Sequence, residues 1–331
     1  MSISPTLTRR SLAAAALLLG AGVASAQQLR AISIVTSSAS IPAGAARIAK
    51  EMGLYEKHGL QARVTPADTG SVASAALLAG AVDFVTTGPS DVVSAQGQGQ
   101  KVVVLTSGYR GFAATLVLSK AAAEKVRVSP TAPVAQRLKA LDGLTIATTS
   151  ASSTFAVGPK SATESVGAKM NFTYMAQPAM VAALRRGVID GFIASAPYYL
   201  QPSTDGTGVI WIHGPKGEWP RLSAPVNSSV LIVKREFADA NPDLMKRVIA
   251  VFADFWKAVE ERPADVKAAM AKLWPDLDAK TLDLLFASES QGFKAGPVSA
   301  DDMAQEIAFM KLGGVNLPQM DRLNPAAMVF P

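Results

Sequence analysis

Short apolar runs alternate along the chain with longer stretches whose apolar residues recur at helical spacing. The first run, Ala31-Ile32-Ser33-Ile34-Val35, predicts a strand that leads into Thr36-Ser37-Ser38-Ala39-Ser40. Over 43–57, Ile48, Met52 and Tyr55 share one helical face, and Gly59 ends the predicted helix. Residues 60–65 alternate as a second strand, and a helix over 71–78 stops at Gly80, where glycine adopts a positive φ most cheaply. Strands follow over 82–86 and 102–106. The pattern then restarts with Leu144-Thr145-Ile146-Ala147-Thr148, a Ser/Thr-rich helix start over 150–155, and strands over 172–175, 189–194 and 209–212. Alternation of this kind implies parallel sheets covered by helices. Two extended apolar segments, Thr115-Leu116-Val117-Leu118 and Ser229-Val230-Leu231-Ile232-Val233, bound the second set. Beyond them the chain is helical. Asn241-Pro242-Asp243 opens an amphipathic helix through Val259, Arg262-Pro263 opens another, and both are expected to return over the first set.

One motif occurs twice. AGAVDFVTTGP (79–89) and RRGVIDGFIASAP (185–197) each leave a leucine-bearing helix and pass through Gly, two apolar residues and Asp. Each then enters an apolar strand and ends in small residues before Pro. The copies read as matching βα elements of two α/β lobes of similar construction. In open sheets of this type a ligand sits outside the carboxyl ends of the strands. Thr86-Thr87-Gly88 and Ala194-Ser195-Ala196 fall at that edge, where small side chains let backbone N–H groups approach a guest. Asp83 and Asp190 fall at the opposite edge, which favours turn capping over acid–base chemistry.

Composition narrows the picture further. The chain has 331 residues, of which 49% are hydrophobic, 6% aromatic and 18% charged, enough apolar material for one large or two medium domains. Residues 1–26 read as a signal peptide: Thr8-Arg9-Arg10-Ser11 is the basic region, 12–23 the apolar run, and Ala24-Ser25-Ala26 the cleavage site before Gln27. The apolar run is shorter than the roughly 20 residues that span a bilayer, so export to the periplasm is expected. The Arg pair followed by Ser and Leu resembles part of a twin-arginine signal, but the usual Phe and later Lys are missing, so both export routes stay open. Cleavage removes two Arg and no acids, leaving 30 basic against 26 acidic residues and a net charge of +4 in place of +6. These charges are scattered, with Arg185-Arg186 the one Arg pair after residue 26, so no nucleic-acid partner is expected. Cysteine is absent, which excludes disulfides, thiol catalysis and a lipid-anchored cysteine.

A family resemblance rests on four stretches. Ile48-Ala49-Lys50-Glu51-Met52-Gly53-Leu54-Tyr55-Glu56-Lys57-His58-Gly59-Leu60 resembles the first helix of periplasmic solute-binding proteins of ABC importers, in the nitrate, taurine and aliphatic-sulfonate branch. Gly80-Ala81-Val82-Asp83-Phe84 and Gly187-Val188-Ile189-Asp190 look like its paired Gly-x-Ile/Val-Asp signatures. Phe237-Ala238-Asp239-Ala240-Asn241-Pro242-Asp243 is similar to its Asn-Pro-acid helix start. The resemblance runs from about Leu29 to the C-terminus. It implies an α/β, two-lobed periplasmic binding protein of type II, with two doubly wound sheets joined by two hinge strands, the extended segments above. Lobe I would hold 27–114 and 231–331, and lobe II 115–230. It further implies closure over a small-molecule ligand and docking on a membrane permease, as a monomer.

Candidate ligand contacts lie where strands end and helices begin: Ser38, Ser40 and Ile41; Gly70 and Ser71; Thr87 and Gly88; and, in lobe II, Ser152, Ser153 and Thr154. Helix N-termini offer free N–H groups and partial positive charge, and hydroxyls add neutral donors. N-capping explains any single one of these Ser or Thr residues better than binding does; four such segments converging on one cleft favour binding. Ser195, at the end of the second motif copy, joins the set. Arg110 could fork onto a carboxylate or sulfonate or be a solvated loop residue. Tyr198 and Tyr199 could wall the cleft or pack the second lobe. His58 and His213, the only histidines, have no second ligand at metal spacing, so no metal and no cofactor is expected. Trp256 and Trp274 are expected in the core.

The leading expectation is a non-enzymatic receptor for a small anionic solute such as a sulfonate, taurine or nitrate. A receptor for a pyrimidine or aromatic compound stays open, with Tyr109, Phe155 and Tyr198 as stacking candidates. An enzyme of the thiamin-precursor-synthase type would need a Cys-rich motif that this chain lacks, and a serine hydrolase its Gly-x-Ser-x-Gly turn.

Overall fold

A computed structural model describes residues 29–220 and 225–331, and the expected signal segment 1–26 lies outside them. The strands are β1 (Arg30–Thr36), β2 (Leu60–Pro66), β3 (Phe84–Thr87), β4 (Val102–Arg110), β5 (Thr115–Ser119), β6 (Thr145–Thr148), β7 (Asn171–Tyr174), β8 (Gly191–Ala194), β9 (Gly208–Ile212) and β10 (Asn227–Lys234). They form two five-stranded sheets with the orders β2-β1-β3-β10-β4 and β7-β6-β8-β5-β9. The two orders superimpose position for position, with β1 matching β6, β3 matching β8, and β10 matching β5.

The expectation of parallel sheets holds for only part of each. β1 is parallel to β2 and β3, and β6 to β7 and β8, but β10 is antiparallel to β3 and β4, and β5 to β8 and β9. The reversed strand in each sheet is the one that arrives from the other sheet. Entering at the carboxyl edge, it has to run back against its neighbours. The two segments expected as hinges are therefore β5 and β10 themselves, hydrogen-bonded within the sheets. The chain changes sheets over 111–114 and again between β9 and β10. Ser229 and Val230 pair with the first sheet, so the expected boundary after 230 moves to before Asn227.

Around the first sheet lie α1 (Ala45–Glu51), α2 (Leu54–Lys57), α3 (Gly70–Leu78) and α4 (Pro89–Gly97). Around the second lie α5 (Lys120–Lys125), α6 (Val134–Lys139), α7 (Thr154–Glu164), α8 (Gln177–Arg185) and α9 (Leu200–Thr204). The C-terminal helices are α10 (Arg235–Ala240), α11 (Pro242–Glu261), α12 (Pro263–Leu273), α13 (Ala279–Phe293) and α14 (Ala300–Leu312). The single helix expected over 43–57 is broken because Gly53 takes φ +70° between α1 and α2. α11 turns Leu244, Met245, Val248, Val251, Phe252, Phe255, Ala258 and Val259 inward. It packs on β4 and α1, each large buried side chain contributing about 1.5–3 kcal/mol.

The repeated motif has one physical cause in both copies. At the end of α3, Gly80 has φ +75°, its N–H donates to Leu77 O and that of Ala81 donates to Ala76 O. At the end of α8, Gly187 has φ +68°, with Gly187 N–H to Leu184 O and Val188 N–H to Ala183 O. This pair of bonds terminates a helix and requires a left-handed residue at the turn. The two aspartates clamp strands to one another. Asp83 Oδ2 accepts from the backbone N–H (2.7 Å) and hydroxyl (2.8 Å) of Ser33 in β1. Asp190 Oδ2 accepts from the Thr145 N–H of β6 at 2.8 Å. Both lie at the edge away from the cleft.

Candidate functional site

The carboxyl edges of the two sheets face each other across a cavity of about 70 Å³. By the measure of one water per ~10–15 Å³ of such space it holds a few waters' worth of ligand. Its wall is built from loops that leave successive strands. After β1, the Ser37-to-Pro42 turn is held by Ser38 Oγ donating to Ser40 Oγ (2.8 Å) and by Thr36 Oγ1 donating to Ser38 O (2.9 Å). Trp274 fixes the same turn from behind. Its ring N–H donates to Ala39 O at 2.8 Å, and the Arg47 guanidinium lies 5.1 Å over its ring. After β2, Thr69 caps α3 by accepting from Val72 N–H, leaving Gly70 and Ser71 at the rim. After β3, Gly88 and then Asp91, in the first turn of α4, reach the cavity.

The second lobe supplies the opposite wall. Ser153 is the N-cap of α7, and Thr154 is its first residue. Gln177 opens α8, and its side-chain oxygen accepts from the Ser195 N–H (2.9 Å) and hydroxyl (3.1 Å), joining two loops of that wall. Ser228 and Ser229 line the floor from β10, and the buried Ser229 hydroxyl has no partner among the described residues. Four helices of nine residues or more, α3, α4, α7 and α8, thus begin at one cavity.

The two walls touch. Thr154 Oγ1 of α7 lies 2.9 Å from Ser90 Oγ of α4, and Ser90 Oγ donates to Glu306 Oε1 of α14. Ile41 N–H crosses to Ala196 O at 2.8 Å. A Cβ on Gly88 would stand 3.0 Å from Thr154 Oγ1, so the glycine marks a close approach between lobes. A third link lies beside the cleft. Glu289 of α13 accepts from the Tyr109 hydroxyl of β4 at 2.5 Å and from the Tyr199 hydroxyl of lobe II at 3.3 Å.

Burial dominates the electrostatics. It pushes Glu289 up to about 7, against the lowering effect of the two tyrosine hydroxyls. Burial also pushes Glu306 up to about 8, offset by the Ser90 hydroxyl and reinforced by the neighbouring Asp91 charge. Asp91 is itself raised by burial, while the Thr87 hydroxyl and the Gly88 N–H pull it down. No Lys or Arg lines the cavity among the described residues.

Ser38, Ser40, Gly70, Ser71, Gly88, Ser153, Thr154 and Ser195 come together on this lining. The other candidates do not. Ile41 is fully buried in the core beneath it, and Thr87 is buried with its hydroxyl donated to Asp91. Ser152 faces a separate outer groove with Lys160 and Tyr174. Tyr198 packs half-buried against the core. Arg110 turns away from the cavity. Its guanidinium donates to Ala295 O (2.9 Å), Pro297 O (3.1 Å) and the Asp302 carboxylate (3.2 Å), pinning the link between α13 and α14. Among the described residues Phe155 is the one aromatic side chain on the lining, and Tyr109 and Tyr198 lie off it. Asp91, Gln177, Thr69, Thr149, Ser228 and Ser229 were not expected. Gln177 could have been found, because Gln177-Pro178 follows β7 as a further strand-to-helix junction.

The model of the NMT1-like family matches residues 39–274. No curated protein matches the sequence. Among solved structures, the alkanesulfonate-binding protein SsuA from Xanthomonas axonopodis pv. citri, bound to MOPS, is similar with a TM-score of 0.72 at 17% identity, over 92% of this chain and 99% of that one. The periplasmic aliphatic sulphonate binding protein SsuA from Escherichia coli gives 0.66 at 20% identity, over 89% and 97%. The periplasmic nitrate-binding protein NrtA from Synechocystis PCC 6803 gives 0.66 at 14% identity, over 89% and 88%. At these identities the likeness establishes a shared fold, the two-lobed architecture of periplasmic binding proteins.

Proposed function

The chain belongs to the NMT1-like family, and from that premise we propose that it is the solute-binding component of an ABC importer. It captures a small polar solute between its lobes in the periplasm and passes it, as a monomer, to a membrane permease. It acts by binding and release, with no covalent step. The observation that carries this reading is the cavity itself: four helix N-termini and a set of serine and threonine hydroxyls converge on one space, and the lobes close on each other through Ser90 and Thr154. Neutral donors of this kind hold the oxygen atoms of a solute, such as those of a sulfonate or carboxylate group, through backbone N–H groups and hydroxyls. Arg110 has no part in that contact.

A second reading has one observation in its favour. Phe155 lies on the lining and offers a face to a pyrimidine or other ring. Thermal unfolding of the protein from Gln27 tests both readings against nitrate, taurine, alkane sulfonates, aromatic carboxylates and pyrimidines. A ligand at a hundred times its Kd adds about 2.7 kcal/mol and a rise of a few degrees. A rise confined to one class identifies the cargo. No rise with any class, together with no small molecule released on denaturation and seen by mass spectrometry, removes the receptor reading.

A further inference from the structure

The charge on the cavity wall restricts which solute fits. Asp91 contributes the one ionisable side chain among the described lining residues, and no Lys or Arg balances it there. Its carboxylate faces the start of α3 closely enough that a Cβ on Gly70 would lie 2.7 Å from Oδ2 and 2.9 Å from Thr87 Oγ1. The Thr87 hydroxyl donates to the same oxygen. The positive ends of α3 and α4 therefore already meet an anion supplied by the chain. Behind it stands a second carboxyl, Glu306, linked through the buried Ser90 hydroxyl to Thr154 on the lining. Arg110, the side chain of suitable sign from sequence, is committed to Asp302 and the α13–α14 link.

When Asp91 is ionised, a bare anion entering this space meets a like charge with no cation to offset it among the described lining residues. The helix starts of lobe II and the unpartnered Ser229 hydroxyl remain free to hold an acceptor group of a guest. Asp91 can accept only from a donor. We propose that Asp91 is the specificity-determining residue of the cavity. It selects a small solute that presents an N–H donor, either a protonated amine or a ring or amide N–H, and it rejects anions that carry none. This rests on the reading of the cavity as the solute site.

The test is calorimetric titration of wild type, Asp91→Asn and Asp91→Ser with nitrate and methanesulfonate as bare anions, and with 2-aminoethanesulfonate and a pyrimidine as donor-bearing probes. The serine variant keeps an acceptor at the helix start if the asparagine variant folds poorly. Removing one like charge from the wall should strengthen bare-anion binding roughly tenfold or more in either variant. Wild type should bind the bare anions weakly or not at all. The amine and ring probes distinguish the two sources of the donor, and the one that binds wild type should weaken in Asp91→Asn. Bare anions binding wild type as tightly as the variants, or no gain in either variant, overturns the proposal. A double variant with Ser71→Trp, which plugs the cavity mouth from an exposed position, separates the two ideas. A gain that survives the plug means that anions bind elsewhere, and the reading of the cavity as the solute site then fails.

Discussion

Replacing Glu289 by Gln should change how stability depends on pH far more than it changes stability at acid pH. The carboxyl is fully buried between Tyr109 and Tyr199, and burial raises its pKa from 4.5 to about 7. A group whose folded pKa lies above its unfolded value contributes stability that is complete below the unfolded value and is lost as pH rises through the folded one. At about 1.36 kcal/mol per pKa unit, the full loss is about 3 kcal/mol, of which about 2.5 kcal/mol falls between pH 5 and pH 8. Glutamine has nearly the same shape, accepts from one tyrosine and donates to the other, and does not titrate. At pH 5 the variant should be less stable than wild type by about 1 kcal/mol, the value of a weakened hydrogen-bond pair. At pH 8 the order should reverse. Glu306 and His213 titrate alike in both proteins, so the difference between the two curves isolates Glu289. Urea unfolding from pH 5 to pH 8 reads this directly. Parallel curves would mean that Glu289 titrates normally and is not sealed between the lobes.

Two further substitutions separate the site from its frame. Thr154→Val keeps the shape at the start of α7 but removes the bond to Ser90 across the cleft. It should weaken binding of the cargo about fivefold, the equivalent of ~1 kcal/mol, with affinity read by calorimetry; an unchanged Kd would dismiss that contact as part of closure. Arg110→Gln should lower unfolding stability by about 1–3 kcal/mol through its lost bonds to Ala295, Pro297 and Asp302. Its ligand affinity should stay within about twofold, because the side chain does not face the cavity.

What was legible in the sequence was local. Gly80 and Gly187 announce themselves because a helix ending of their type demands positive φ, and the small residues after β3 and β8 follow from period and position. The same signals assembled the two lobes and most of the serine-lined wall. What was not legible depends on contacts distant in sequence. The reversed direction of β5 and β10 follows from the chain crossing between sheets, which no local pattern records. Arg110 finds its partners more than 180 residues away, so a loop arginine near a strand end looked available for a ligand. Asp91 sits inside a helix whose first turn ordinarily welcomes an acid, and nothing local distinguishes such a residue from one facing a cavity. Gly53 falls inside an otherwise helical period, so the break between α1 and α2 was hidden by the apolar residues around it.

Binding of a small solute between the lobes is read by the ligand-induced rise in unfolding temperature of wild type beside Ser71→Trp. The indole should fill the cavity mouth from an exposed position without disturbing the core. The two unliganded proteins should unfold at equal temperatures, with a rise of a few degrees for wild type with its cargo and no rise for the plugged variant. An equal rise in both would place the ligand outside the cleft.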